Sequence, residues 1–207
     1  KTYFDKITGL TEYPNLHLIF FQFWEFLSTE DITHIKKTIF INNTENQQDI
    51  IYSINEFNYT KNKVNPEILF VTDNFLPNLE QINISNDSVL KVDLYVLNYC
   101  NSSEFSQLNF VSNLENVIKR LKINGDLILK FNIEIKNIII FFPLLLYFFD
   151  SIKIKISDLY EPYPYDIFVY CTKLKITNFD FTDIQYHLVN DNVCKLFDYN
   201  NKSLTNY

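Results

Sequence analysis

The sequence predicts an α/β fold: a mostly parallel seven-stranded sheet with an antiparallel hairpin at its end and helices on both faces. Two observations predict it. Helix-spaced and strand-like apolar segments alternate through the middle of the chain, which is the signature of parallel strands joined by helical crossovers. Near the end two strand-like segments follow one another with no helix between them, which calls for an antiparallel pair. With 207 residues, 47% hydrophobic and 17% aromatic, the chain can bury the core such a sheet needs.

Each element has its own justification. Residues 15–29 (NLHLIFFQFWEFLST) are apolar almost all round and read as a buried helix. Ile39, Phe40 and Ile41 form a short buried strand, and 45–57 an amphipathic helix. EILFVTD (67–73), punctuated by Pro66, is a second strand; QINIS (81–85) is a weak third; VDLYVLN (92–98) is a strong fourth. In 106–122, Leu108, Val111, Leu114, Val117, Ile118 and Leu121 recur at helical spacing. GDLILKFN (125–132) is a fifth strand, followed by an apolar helix that runs to Phe149. SIKIKIS (151–157) alternates like an edge strand, and DIFVYCTKLKI (166–176) is the last strand. One domain therefore spans 1–176, with 177–207 as a less periodic C-terminal extension of open role.

Composition excludes several function classes. A net charge of −7 argues against a broad electrostatic grip on nucleic acid. Three widely spaced cysteines (Cys100, Cys171, Cys194) with no CxxC pair argue against zinc and fit a reducing, cytoplasmic compartment. The apolar run 138–149 falls short of the ~20 residues that cross a bilayer, and Pro143 interrupts it, so no membrane partner is expected. The absence of Met and the start at Lys1 suggest a fragment of a longer chain, and the richness in Asn, Ile, Lys, Phe and Tyr suggests an AT-rich genome.

The stretch TIFINNTENQQDIIYS (38–53) opens as a nucleotide-binding strand–loop–helix does, yet carries amides where such a loop needs glycines. The whole chain has two glycines, Gly9 and Gly125. Together with LKINGDLILKF (121–131) and YFFDSIKIKISDLYEPYPYDIFVYCTKLK (147–175), the order and spacing of elements over residues 16–176 resemble the FtsJ-type RNA 2′-O-methyltransferases. The resemblance implies a Rossmann-like methyltransferase fold and a Lys-Asp-Lys-Glu tetrad, in which the second lysine deprotonates a ribose 2′-hydroxyl. A lysine can do so near neutral pH only when burial and cationic neighbours favour its neutral form.

Carried over by position, the second lysine is Lys130. The aspartate becomes Asn98, the glutamate becomes the shorter Asp166, and the first lysine becomes Gln22. In the family, a glycine-rich turn lets S-adenosylmethionine lie against bare backbone. Here Asn42, Asn43 and Gln47 stand in that turn, with side chains that fill the cofactor's space. Asp73 and Asp87 stand where acids would hold the ribose and the adenine; strand-end acids that merely cap turns occupy the same places. The family's basic hairpin motif becomes ISDLYE (156–161), with Ile156 and Glu161 in place of two cations.

The expectation is a degenerate methyltransferase that does not catalyse and does not require S-adenosylmethionine. The resemblance offers a precedent in viral capping enzymes, where a dead methyltransferase-like subunit stimulates its partner. A protein partner is therefore expected, with Tyr160, Tyr163 and Tyr165 as candidate anchors or as a stiff proline-braced loop, and RNA as a further partner. The alternative is an active S-adenosylmethionine-dependent RNA cap 2′-O-methyltransferase with drifted motifs.

Overall fold

The computed structural model describes residues 17–30, 32, 38–42, 47–62, 67–70, 82–83, 91–99, 107–132, 141–159, 166–177, 179 and 181. In chain order the elements are α1 (Leu18–Thr29), β1 (Thr38–Asn42), α2 (Gln47–Asn62), β2 (Glu67–Phe70), β3 (Ile82–Asn83), β4 (Val92–Tyr99), α3 (Gln107–Arg120), β5 (Leu121–Asn132), α4 (Phe142–Phe148), β6 (Phe149–Ile156) and β7 (Asp166–Leu174). The strands form one sheet of order β3-β2-β1-β4-β5-β7-β6. β1 pairs in parallel with β2 and β4, β2 with β3, and β4 with β5; β7 runs antiparallel to both β5 and β6. The hairpin expected from the two consecutive strands is there, with the later strand, β7, inserted between β5 and β6.

Alternation along the strands splits the core into two layers. Phe40, Tyr95, Leu97, Tyr99, Leu127, Leu129 and Phe131 face α3 and α4. Ile39, Ile41, Leu94, Val96, Ile128, Phe168 and Tyr170 face α1 and α2. β4 reads as a near-continuous apolar run because it is covered on both faces, as a central parallel strand must be.

Several boundaries differ from the sequence expectation. α2 continues to Asn62, beyond residue 57, with Asn58 buried in its last turns. α3 stops at Arg120 rather than 122, because Leu121 pairs with Val92 and begins β5. The strand then turns on itself: Asn124 adopts φ 63, and the register shifts between Val92 and Leu94. The apolar helix is short in its described part, Phe142–Phe148, with Pro143 in its first turn, where no N–H is missed. Phe149, expected to end it, already belongs to β6, which is the sheet edge as expected. Beyond residue 176 the described part of the extension packs onto the core: Phe181 stacks on Phe148 at 5.4 Å and Phe179 meets the same ring edge-on at 5.1 Å. No described helix is long and apolar enough to cross a membrane.

Candidate active site

Aromatic packing sets α1 over the last strand. Phe26 stacks on Phe168 at 4.7 Å and Phe23 meets the same ring edge-on at 5.1 Å. Gln22, one residue before Phe23, is thereby carried over the start of β7. The β5–β7 register puts Lys130 opposite Phe168, so Asp166, two residues earlier, is its diagonal neighbour on the same face. The β4–β5 register puts Asn98 beside Lys130. Three of the four sequence-derived tetrad positions thus follow from strand register alone, and aromatic packing adds the fourth.

The contacts are short. Lys130 Nζ donates to Asp166 Oδ1 at 2.5 Å. Gln22 Nε2 donates to Asp166 Oδ2 at 2.6 Å and to the Leu159 carbonyl at 2.7 Å. Each carboxylate oxygen therefore has a donor. The cluster is enclosed: Gln22 is 1% exposed, Asn98 6%, Lys130 5% and Asp166 5%. It lies at the carboxyl ends of β4 and β5, close to the point between β1 and β4 where strand order reverses, which is where open α/β sheets bind ligands. Chemically it holds one amine, one carboxylate and two amides. It can orient groups by hydrogen bonding, with the Lys130 amine held by Asp166.

The cofactor positions are less fully covered. Asn42 ends β1 in register with Leu97, and Gln47 begins α2. Their side chains, together with Asn43, Asp73 and Asp87, lie outside the described residues, as do Tyr160, Tyr163 and Tyr165. What is described at the start of α2 is Asp49, a buried acid in its first turn that pairs with His17 Nδ1 at 2.6 Å. S-adenosylmethionine, which the resemblance implies, would present its methionine carboxylate and ammonium near this turn. Asp49 is the described acid that such an ammonium would meet there, and it is held by His17.

Sequence reasoning missed a second polar seam between α1 and the β6–β7 connection. Glu25 binds Ser157 and the Asp158 backbone, and Lys153 pairs with Glu30 at 3.2 Å. No local signal marks it, because Glu25 reads as an ordinary helix acid and its partners lie more than a hundred residues along the chain. Among the described residues no cluster of His, Cys, Asp and Glu could hold a metal ion.

Topology and cluster together define a Rossmann-like α/β fold with a polar centre at its strand ends, and solved structures narrow the class. No protein-family model matches the sequence, and no curated protein matches it. A class I S-adenosylmethionine-dependent methyltransferase from Listeria monocytogenes superposes with a TM-score of 0.51 at 13% identity, over 77% of this chain and 60% of that one. A ribosomal RNA methyltransferase from Plasmodium falciparum gives 0.49 at 13% identity, over 75% and 96%. An rRNA methylase from Streptococcus thermophilus gives 0.44 at 12%, over 72% and 95%. The Listeria likeness is one of fold: this chain has a class I methyltransferase-like fold.

Proposed function

We propose that this chain is a non-catalytic RNA 2′-O-methyltransferase-like domain that serves as a structural or stimulatory subunit of a cytoplasmic RNA capping or processing assembly. The observation that carries the reading is the closure of Asp166. Its two oxygens are taken by Lys130 and Gln22, inside a cluster whose members are at most 6% exposed. A base must reach its substrate's proton, and here the only amine of the four positions is engaged and covered. The neutral Gln22 amide, at the position where the resemblance expects a second cation, also ties α1 to the Leu159 carbonyl. That makes the cluster a brace between helix and hairpin.

Isothermal titration with S-adenosylmethionine, paired with a methyl-transfer assay on capped RNA, tests this. The expected result is no saturable heat and no transfer. Transfer that disappears in Lys130→Ala refutes it.

A second reading keeps S-adenosylmethionine as cofactor and Lys130 as base. It is favoured by the gathering of all four tetrad positions at the carboxyl ends of β4 and β5, and by the fold shared with a methyltransferase. In that reading Asp166 orients the Lys130 amine, and a 2′-hydroxyl enters only after Gln22 and Leu159 move aside.

A further inference from the structure

Glu25 lies one turn beyond Gln22 on the same face of α1 and faces three donor groups, two hydrogen-bonded to it and one paired by charge. Its Oε2 accepts from Ser157 Oγ at 2.6 Å, its Oε1 accepts from the Asp158 N–H at 3.0 Å, and Lys155 Nζ, which donates to Thr29 Oγ1 at 2.8 Å, lies 3.6 Å from Oε1. All three donors come from one short run, 155–158, while the carboxylate comes from a different element. The run is shaped by bonds that do not involve Glu25. The Ser157 N–H donates to the Asp166 carbonyl at 3.1 Å, and the Leu159 N–H donates to Ser157 Oγ at 3.1 Å. Ser157 is 1% exposed, so its hydroxyl is fixed rather than free to rotate into solvent. A hydroxyl, a backbone N–H and an ammonium converging on two oxygens are the donor set that receives a phosphate oxyanion.

We propose that Lys155, Ser157 and the Asp158 N–H form an oxyanion site of phosphate class, and that Glu25 is the internal carboxylate that fills it. The inference is independent of whether the Lys130 cluster catalyses. Withdrawal of Glu25 exposes the site, so a phosphate and α1 compete for the same donors. Asp158 is itself an exposed acid in this run and keeps the affinity modest, with a Kd on the order of millimolar for a single phosphate.

The test is a 31P NMR titration of the full chain with inorganic phosphate, comparing wild type, Glu25→Ala and Glu25→Gln. Glu25→Ala should bind phosphate at least about tenfold more tightly than wild type, and adding Lys155→Ala should reverse the gain. A parallel titration with a ten-nucleotide RNA separates the sources. Binding of RNA as well as phosphate assigns the site to nucleic-acid backbone, and binding of phosphate alone assigns it to a small oxyanion; either supports the proposal. Folded Glu25→Ala or Glu25→Gln protein that binds neither probe overturns it. So does equal phosphate binding by wild type, or failure of both variants to fold, since the carboxylate would then be part of the frame and not a replaceable occupant.

Discussion

Lys130 and Asp166 meet across the β5–β7 ladder at 2.5 Å, although neither is the other's direct partner in the register. The approach is diagonal: Asp166 pairs with Asn132 and Lys130 with Phe168, and the two long side chains lean along the strands to close the gap. Because both are enclosed, removing one leaves the other buried without its counter-charge. Lys130→Ala should therefore destabilise the domain by about 3–5 kcal/mol, while Lys130→Ala combined with Asp166→Ala should cost less than the sum of the two single changes. Urea denaturation of the three variants reads this directly, and additive costs would show the pair to be uncoupled.

Gln22 gives a sharper discrimination, because its amide serves two acceptors from different elements. Gln22→Leu leaves Asp166 Oδ2 and the Leu159 carbonyl each without that donor, at about 1–3 kcal/mol per buried acceptor. Gln22→Glu is worse, because it sets a carboxylate against Asp166 in an enclosed site. The order wild type, Gln22→Leu, Gln22→Glu in decreasing denaturation midpoint is the expected result. A Gln22→Glu variant as stable as wild type would show that the amide's hydrogen is not what holds the cluster.

The four positions were named from the family resemblance, and strand register explains why three of them meet. Once the strand order is set, the ends of β4 and β5 stand side by side, so Asn98 and Lys130 become neighbours whatever their chemistry. The alternation of DIFVYCTKL fixes Asp166 on the face of Phe168 and Tyr170. Glu25 was not legible, since its donors lie more than a hundred residues away and nothing local distinguishes it from a solvated helix acid. The same holds for Asp126. It reads as a polar residue opening a strand, yet it accepts from the Tyr170 hydroxyl at 2.9 Å and from the Lys173 N–H at 2.8 Å, next to the positive φ of Lys173. Helix ends were misplaced where an apolar residue serves either element: Leu121 continues the helical spacing of α3 but is claimed by Val92.

Gly125 is fixed by space rather than by backbone freedom. A β-carbon there would lie 2.8 Å from the Lys122 carbonyl oxygen and 3.1 Å from that of Asp93, both main-chain atoms that cannot swing away. Gly125→Ala should cost about 1–3 kcal/mol as β5 shifts off β4. The shift would also weaken the exposed Lys122–Asp93 pair, which spans the same turn at 3.1 Å. Thermal unfolding with no change in midpoint would contradict this.

Stability should fall steeply on the alkaline side, for a reason that three residues share. Burial pushes the Tyr99 and Tyr170 hydroxyls and the Cys171 thiol well above their ordinary ranges, and at Tyr170 and Cys171 the Asp126 carboxylate adds to the effect. In the unfolded chain a thiol releases its proton from about pH 9 and a phenol from about pH 10. Above those values the unfolded state binds fewer protons than the folded one, so rising pH favours unfolding. Each group that keeps its proton only in the folded state contributes a slope of about 1.4 kcal/mol per pH unit. The stabilisation is complete below pH 9 and is lost progressively above it. Tyr170→Phe removes one titrating group and with it about one proton's share of the slope, although it also gives up the hydrogen bond to Asp126. Its stability should therefore start lower at neutral pH and decline less steeply above pH 10. Urea midpoints measured from pH 7 to 11 on both proteins check the two parts separately, and parallel curves would exclude Tyr170 as a source of the alkaline loss.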